Sequence, residues 1–66
     1  MHKLKDLVSV MDELDDICIL TENYGKLYYG RIMNIPEHLL NCFVINGSLS
    51  LDVDKTNYPY FVIKVK

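Results

Sequence analysis

The chain has no tryptophan, three glycines, two prolines and two cysteines among its 66 residues, and each scarcity removes a class of function. Gly25, Gly30 and Gly47 are too far apart to form the loop in which successive backbone N–H groups close on a phosphate. Cys18 and Cys42, each inside an apolar run, do not supply the doubled close pairs of a structural zinc site, and with His38 they make three scattered ligands at most. The run Asp52–Asn57, DVDKTN, offers oxygen ligands at alternate positions but lacks the glycine and the bidentate glutamate of a calcium loop. Nucleophilic catalysis needs an activated side chain beside a base, and the candidates reduce to Cys18 or Cys42 with His2 or His38. His38 and Cys42 are four apart and share a face if the segment is helical; a solvent-facing turn leading into a buried strand accounts for the same spacing. The residues point to a non-enzyme with no catalytic group, no metal and no cofactor.

A surplus of positive charge is also missing. Seven basic residues stand among nine acidic ones, for a net charge of -2, whereas neutralising a phosphate backbone takes a clear excess of Lys and Arg on one face. The only local excess is at the two ends, with His2, Lys3 and Lys5 at one and Lys64 and Lys66 at the other. Nucleic acid is therefore not the expected partner. No apolar run has the length of a membrane span, and residues 1–16 are too charged for a secretory leader. These absences predict a soluble, cytoplasmic protein with reduced thiols.

What the chain does have is apolar mass: half of its residues are hydrophobic. A single domain over 1–66 with a core this thin buries only about 60% of its unfolded surface, so part of that apolar content is expected to face another copy. Leu4, Leu7, Val8, Met11 and Leu14 fall at helical spacing and predict an amphipathic N-terminal helix. ICILTE and LYYGRIM alternate like strands, and NYGK between them reads as a hairpin turn. Gly30 inside the second strand marks a bulge, a bend, or a place where another group approaches the backbone. NIPEHLLN starts with a proline-led helical turn. CFVI and SLSLDV follow, and DKTNYP turns the chain into YFVIKVK. Asn46-Gly47 fits either a hairpin turn or a bulge within one long bent strand; the second reading leaves four strands of useful length. The predicted fold is α+β, an N-terminal helix packed on a four-stranded antiparallel sheet with a short helical turn between strands 2 and 3, or a partly closed small barrel. Its predicted core is Leu7, Met11, Ile19, Tyr29, Phe61 and Ile63.

Five tyrosines, Tyr24, Tyr28, Tyr29, Tyr58 and Tyr60, cluster near turns and strand ends. Tyrosine offers a large ring and a polar tip at small entropic cost, so it serves interfaces and base-stacking surfaces alike. Tyr29 joining the core, with Tyr28 covering the back of the sheet, is the structural reading of the pair. The functional reading adds Arg31, whose planar fork can hold phosphate beside a ring, together with Lys26, Tyr28, Tyr58 and Tyr60 as ligand-binding residues. Arg31 as a charge that guards a sheet edge is the alternative.

Leu27, Tyr28, Tyr29, Gly30, Ile35, Pro36, Leu39 and Leu40, set between a leading helix KLKDLVSVMDE and two terminal strands, give the chain a pattern that resembles short uncharacterised phage and prophage proteins of Firmicutes. The likeness spans nearly the whole chain and lies in fold-forming positions, so it implies a setting, the host-cell cytoplasm, rather than an activity. In that setting the residues suggest a homo-oligomeric binding protein, an anti-defence sponge that sequesters a cyclic or other nucleotide immune signal at a subunit interface. The alternatives are an inhibitor that covers a host defence protein, with Asp15, Asp16, Glu22, Asp52 and Asp54 imitating phosphates, and a small accessory or virion component.

Overall fold

The structure, a computed structural model, describes residues 2–66. It runs α1 (Leu4–Val8), β1 (Asp16–Leu20), β2 (Lys26–Arg31), a single 3-10 turn (Ile32–Asn34), α2 (Glu37–Leu40), β3 (Ser50–Val53) and β4 (Pro59–Lys64). The strands form one open sheet in the order β2-β1-β4-β3.

That order corrects the expected all-antiparallel sheet. β1–β2 and β3–β4 are antiparallel hairpins, but the two inner strands, β1 and β4, run parallel, with Ile17, Cys18, Ile19 and Leu20 beside Phe61, Val62, Ile63 and Lys64. A parallel pair needs a long crossover, and residues 32–49 provide it. Ile32, Ile35, Leu39 and Val44 in this segment are all buried, so it must cross one face of the sheet instead of turning straight back. Doing so delivers β3 to the far edge. The sheet does not close into a barrel.

α1 is shorter than the apolar spacing predicts. Its pattern continues to Leu14, yet the Ser9 hydroxyl donates to the Asp6 carbonyl at 2.8 Å and the Asp12 carboxylate accepts the Leu14 N–H at 3.0 Å. Such side-chain bonds offer the backbone an alternative to the helical ladder, and the chain leaves the helix after Val8. Asn46-Gly47 does not reverse the chain. Ile45 donates to the Lys64 carbonyl on one side of it, and Ser48 exchanges hydrogen bonds with Lys64 through its hydroxyl on the other. The pair is a turn protruding from a run that keeps alongside β4. At the same end, Leu4 and Val44 donate to the carbonyls of Cys42 and His2, tying the N-terminus to that run.

The core lies on the crossover side of the sheet. Leu4, Ile17, Ile19 and Ile63 are fully buried, and Ile32, Ile35, Leu39, Val44 and Val65 complete the cluster. Of the predicted core, Ile19 and Ile63 hold these positions, while Leu7, Met11 and Phe61 pack half-buried against them. Tyr29 is the exception: it is 44% exposed, on the other face.

Candidate functional site

Side chains alternate along a strand, so every second residue of the sheet faces away from the core. The strand register arranges this outer face in three rows across the sheet. The first is Arg31, Asp16, Tyr60 and Asp52, the second Tyr29, Cys18, Val62 and Ser50, and the third Lys26, Leu20 and Lys64. Successive rows are about 6.6 Å apart, from a rise of about 3.3 Å per residue. The register skips Leu27 between Ile19 and Leu20, and this bulge turns Lys26 onto the outer face.

Tyr29 and Tyr60 meet edge-to-face over the sheet, with ring centroids 5.3 Å apart, a geometry that aligns one ring's positive edge with the other's negative face. A lysine stands over one ring of this pair, and a second lysine over another tyrosine of the face. The Lys26 ammonium lies 5.7 Å from the centre of the Tyr29 ring, and the Lys64 ammonium lies 3.9 Å from the centre of Tyr24, which stands at the turn after β1. Tyr24 holds a left-handed backbone conformation, φ 67°, although residue type alone assigns that role to its neighbours Asn23 and Gly25. Cys18, in the middle row, is buried; desolvation raises its pKa, and the charge of Lys26 opposes the shift. The pKa values of Tyr29 and Tyr60 are raised too, first by desolvation and then by carboxylates: Asp54 and Asp16 for Tyr29, Asp52 for Tyr60. One side of the outer face thus carries Asp16 and Asp52 with Arg31 at its β2 end, the middle is aromatic and apolar, and the other side carries Lys26 and Lys64.

Of the residues expected to bind a ligand, Arg31, Lys26 and Tyr60 come together on this face. Tyr28 does not. It packs half-buried on the core side, and its hydroxyl donates to the Arg31 carbonyl at 2.7 Å. Its ring folds back over Gly30, where an added Cβ would sit 2.8 Å from the hydroxyl oxygen; the group approaching that glycine is the chain's own tyrosine. Tyr58 is exposed in the β3–β4 turn, its N–H donating to the Asp54 carboxylate at 2.9 Å. Tyr29, assigned to the core from sequence, belongs to the site, and Lys64 and Tyr24 join it unannounced. The sign was available for Tyr29: it shares its face of the strand with Arg31, whereas Tyr28 shares its face with Gly30 and Ile32, and a charge marks the solvent side.

Searches against protein-family models, curated proteins and solved structures find no match to this chain.

The face is flat. Two concavities among the described residues lie elsewhere, one of about 240 Å³ beside α1, lined by Leu7, Val10 and Val44, and an open one of about 430 Å³ near Asn23 and Lys66. None of the five expected ligand-binding residues lines either. The Cys42 thiol donates to the His38 carbonyl oxygen at 3.6 Å, so the cysteine addresses backbone, not imidazole. Among the described residues no three His, Cys, Asp or Glu side chains gather as metal ligands, and no helix is long and apolar enough to cross a membrane.

Proposed function

We propose that this chain is a non-enzymatic binding protein that captures a nucleotide on the outer face of its sheet, acting, in the phage setting its sequence pattern resembles, as a sponge for a nucleotide signal. The observation that supports this reading most is the Tyr29–Tyr60 pair with the Lys26 ammonium over Tyr29, on a face that also carries Lys64 against Tyr24. A nucleobase stacks on tyrosine whatever its identity, and the lysines one row from Tyr29 offer its phosphate a charge-assisted contact. Arg31, at the opposite side of the face, is the fork for a second phosphate where the ligand has two. Tyr28 and Tyr58 leave the set of ligand contacts.

Calorimetry with nucleoside monophosphates and cyclic di- and trinucleotides tests the reading. The wild type should bind at least one of them, Tyr60→Ala and Lys64→Gln should each weaken it by about tenfold or more, as stacking and charged contacts do, and Arg31→Ala should weaken only ligands with two or more phosphates. A wild type that binds none would overturn it. A second reading has its own observation: Asp16 and Asp52 stand in one row, with Asp54 near enough to act on Tyr29, an acidic edge suited to the basic surface of a host protein. Co-purification of a single basic host protein, with no nucleotide bound, favours that alternative.

A further inference from the structure

We infer that the free edge of β3 is a docking site for an extended segment of another protein, which joins the four-stranded sheet as a further strand and sets an apolar, a basic and an apolar residue opposite Val53, Asp52 and Leu51. Nucleotide capture uses the outer face and not this edge, so either can fail without the other.

The two edges of the sheet differ in what they leave open. The Asp54 N–H donates to the Tyr58 carbonyl at 3.0 Å, and Pro59, which has no N–H, stands opposite Val53. By the alternation of an antiparallel ladder, the even-numbered residues of β3 therefore bond to β4, and Leu51 and Val53 turn their backbone groups outward. Only one of these groups has a partner among the described residues: the Val53 N–H donates to the Asp52 carboxylate at 2.8 Å. The N–H and C=O of Leu51 and the C=O of Val53 stay open. At the other edge, the Ile32 N–H donates to the Asp15 carbonyl, so by the same alternation Arg31 points its carbonyl outward, and the Tyr28 hydroxyl covers it at 2.7 Å. The bulge at Leu27 and the charges of Lys26 and Arg31 guard the rest of β2, as open sheets do to avoid unwanted pairing. β3 has no lysine, proline or bulge between Ser50 and Val53.

Side chains at the β3 edge specify the occupant. Leu51 shares its cross-strand row with Phe61 and Ile17 on the core side of the sheet, but the cover thins along it: Ile17 is fully buried, Phe61 half-buried and Leu51 63% exposed. Val53, on the same side, is exposed as well. A strand laid alongside sets two of its own side chains against these, and the pairs stabilise most when both newcomers are apolar. The residue between them faces Asp52 in a non-hydrogen-bonded pair, where side chains stand closest. Asp52 is at the β3 end of the row that also holds Asp16, while Arg31, the one cation of that row, is at the far edge, three strands or about 14 Å away. A lysine or arginine opposite Asp52 thus meets a carboxylate with no cation beside it in the sheet, and the contact is charge-assisted. In taking that carboxylate it also draws it off the Val53 N–H, which becomes a further group for main-chain pairing. The carboxylate that closes part of the edge to other strands opens it to a basic one.

An NMR titration of the labelled full chain, without nucleotide, tests the inference with the peptide acetyl-Val-Arg-Val-Thr-Val-amide, whose arginine falls opposite Asp52 when the peptide runs antiparallel to β3 with its third residue opposite Leu51. Saturable shifts should centre on the amides of Leu51 and Val53, the Leu51 amide should exchange more slowly with solvent, and the amides of Lys26–Arg31 should not move. Replacing the peptide's arginine by glutamate should weaken binding about tenfold or more, as loss of a charged contact does. Replacing its third valine by proline, which cannot donate to the Leu51 carbonyl, should abolish binding. Asp52→Asn should bind the arginine and glutamate peptides within about twofold of each other, a loss of discrimination that indiscriminate apolar adhesion does not produce. No saturable shift at Leu51, equal binding of the arginine and glutamate peptides by the wild type, or shifts along β2 would overturn the inference. So would Leu51 shifts that follow protein concentration without peptide, which assign the edge to a second copy.

Discussion

Shortening Leu4 to alanine isolates what holds the helical layer to the sheet. α1 has five residues, far fewer than a helix needs to persist by itself in water, so its position depends on what it buries. Leu4 is its one fully buried side chain, whereas Leu7 and Val8 are half-buried and Val10, just beyond, is 82% exposed. Leu4→Ala removes three carbons, about 2.4 kcal/mol at about 0.8 kcal/mol per buried methylene. The cavity left against Ile17, Ile19 and Ile63 raises the cost toward 3 to 4 kcal/mol, roughly the middle of the range for such changes. A chain of this length has about 3 to 10 kcal/mol in all, so the loss removes between about a third of the stability and all of it. Urea denaturation followed by circular dichroism measures the loss. Leu7→Ala should cost about half as much and Val10→Ala less than about 0.5 kcal/mol. Equal losses for Leu4 and Leu7 would refute the burial order, and a Leu4→Ala variant as stable as wild type would refute the role of α1 altogether.

Two further changes address the sheet. Gly30→Ala should lower the melting temperature and release the Tyr28 hydroxyl from the Arg31 carbonyl, because the new Cβ meets that hydroxyl at 2.8 Å; Gly30→Ala combined with Tyr28→Leu should recover part of the loss, and no difference between the two would count against the contact. The Asp54 carboxylate accepts the Thr56 hydroxyl at 2.7 Å, the Thr56 N–H at 2.8 Å and the Tyr58 N–H at 2.9 Å, and these bonds lower its pKa, the Thr56 hydroxyl foremost. Since the folded-state pKa is the lower one, its contribution to stability is complete above the ordinary aspartate value and fades as the pH falls toward the depressed one. Asp54→Asn should therefore flatten the acid limb of the stability profile, and an unchanged limb would show that the carboxylate carries no such linkage.

The parts of the fold that could be read from sequence are those set by neighbours along the chain. Alternation placed β1, β2 and β4, Pro36 announced α2, and DKTNYP announced the last turn. Two features depended on groups far apart in sequence. The parallel pairing of β1 with β4 follows from burying Ile32, Ile35, Leu39 and Val44 in one crossover, and a strand's own pattern says nothing of which distant strand it will join. The side of the sheet on which Tyr29 falls was a choice between two faces, and a one-residue difference in parity moves a ring from core to solvent. For the site, Arg31, Lys26 and Tyr60 could be picked out by residue type. Lys64 could not, because it reaches Tyr24 only through the pairing of β4 with β1. The early end of α1 was encoded too, in Ser9 and Asp12, but as competing hydrogen bonds that an apolar periodicity does not register.

Titration of the isotopically labelled protein with nucleoside monophosphates and cyclic dinucleotides, followed by its amide and tyrosine ring resonances, addresses the outer face most directly. The account predicts shifts concentrated at Cys18, Leu20, Tyr29, Tyr60, Val62 and Lys64, with Ile17, Ile19 and Ile63 on the opposite side of the same strands little changed. Shifts gathered instead around Leu7, Val10 and Val44 beside α1, or no shifts with any nucleotide, would contradict it.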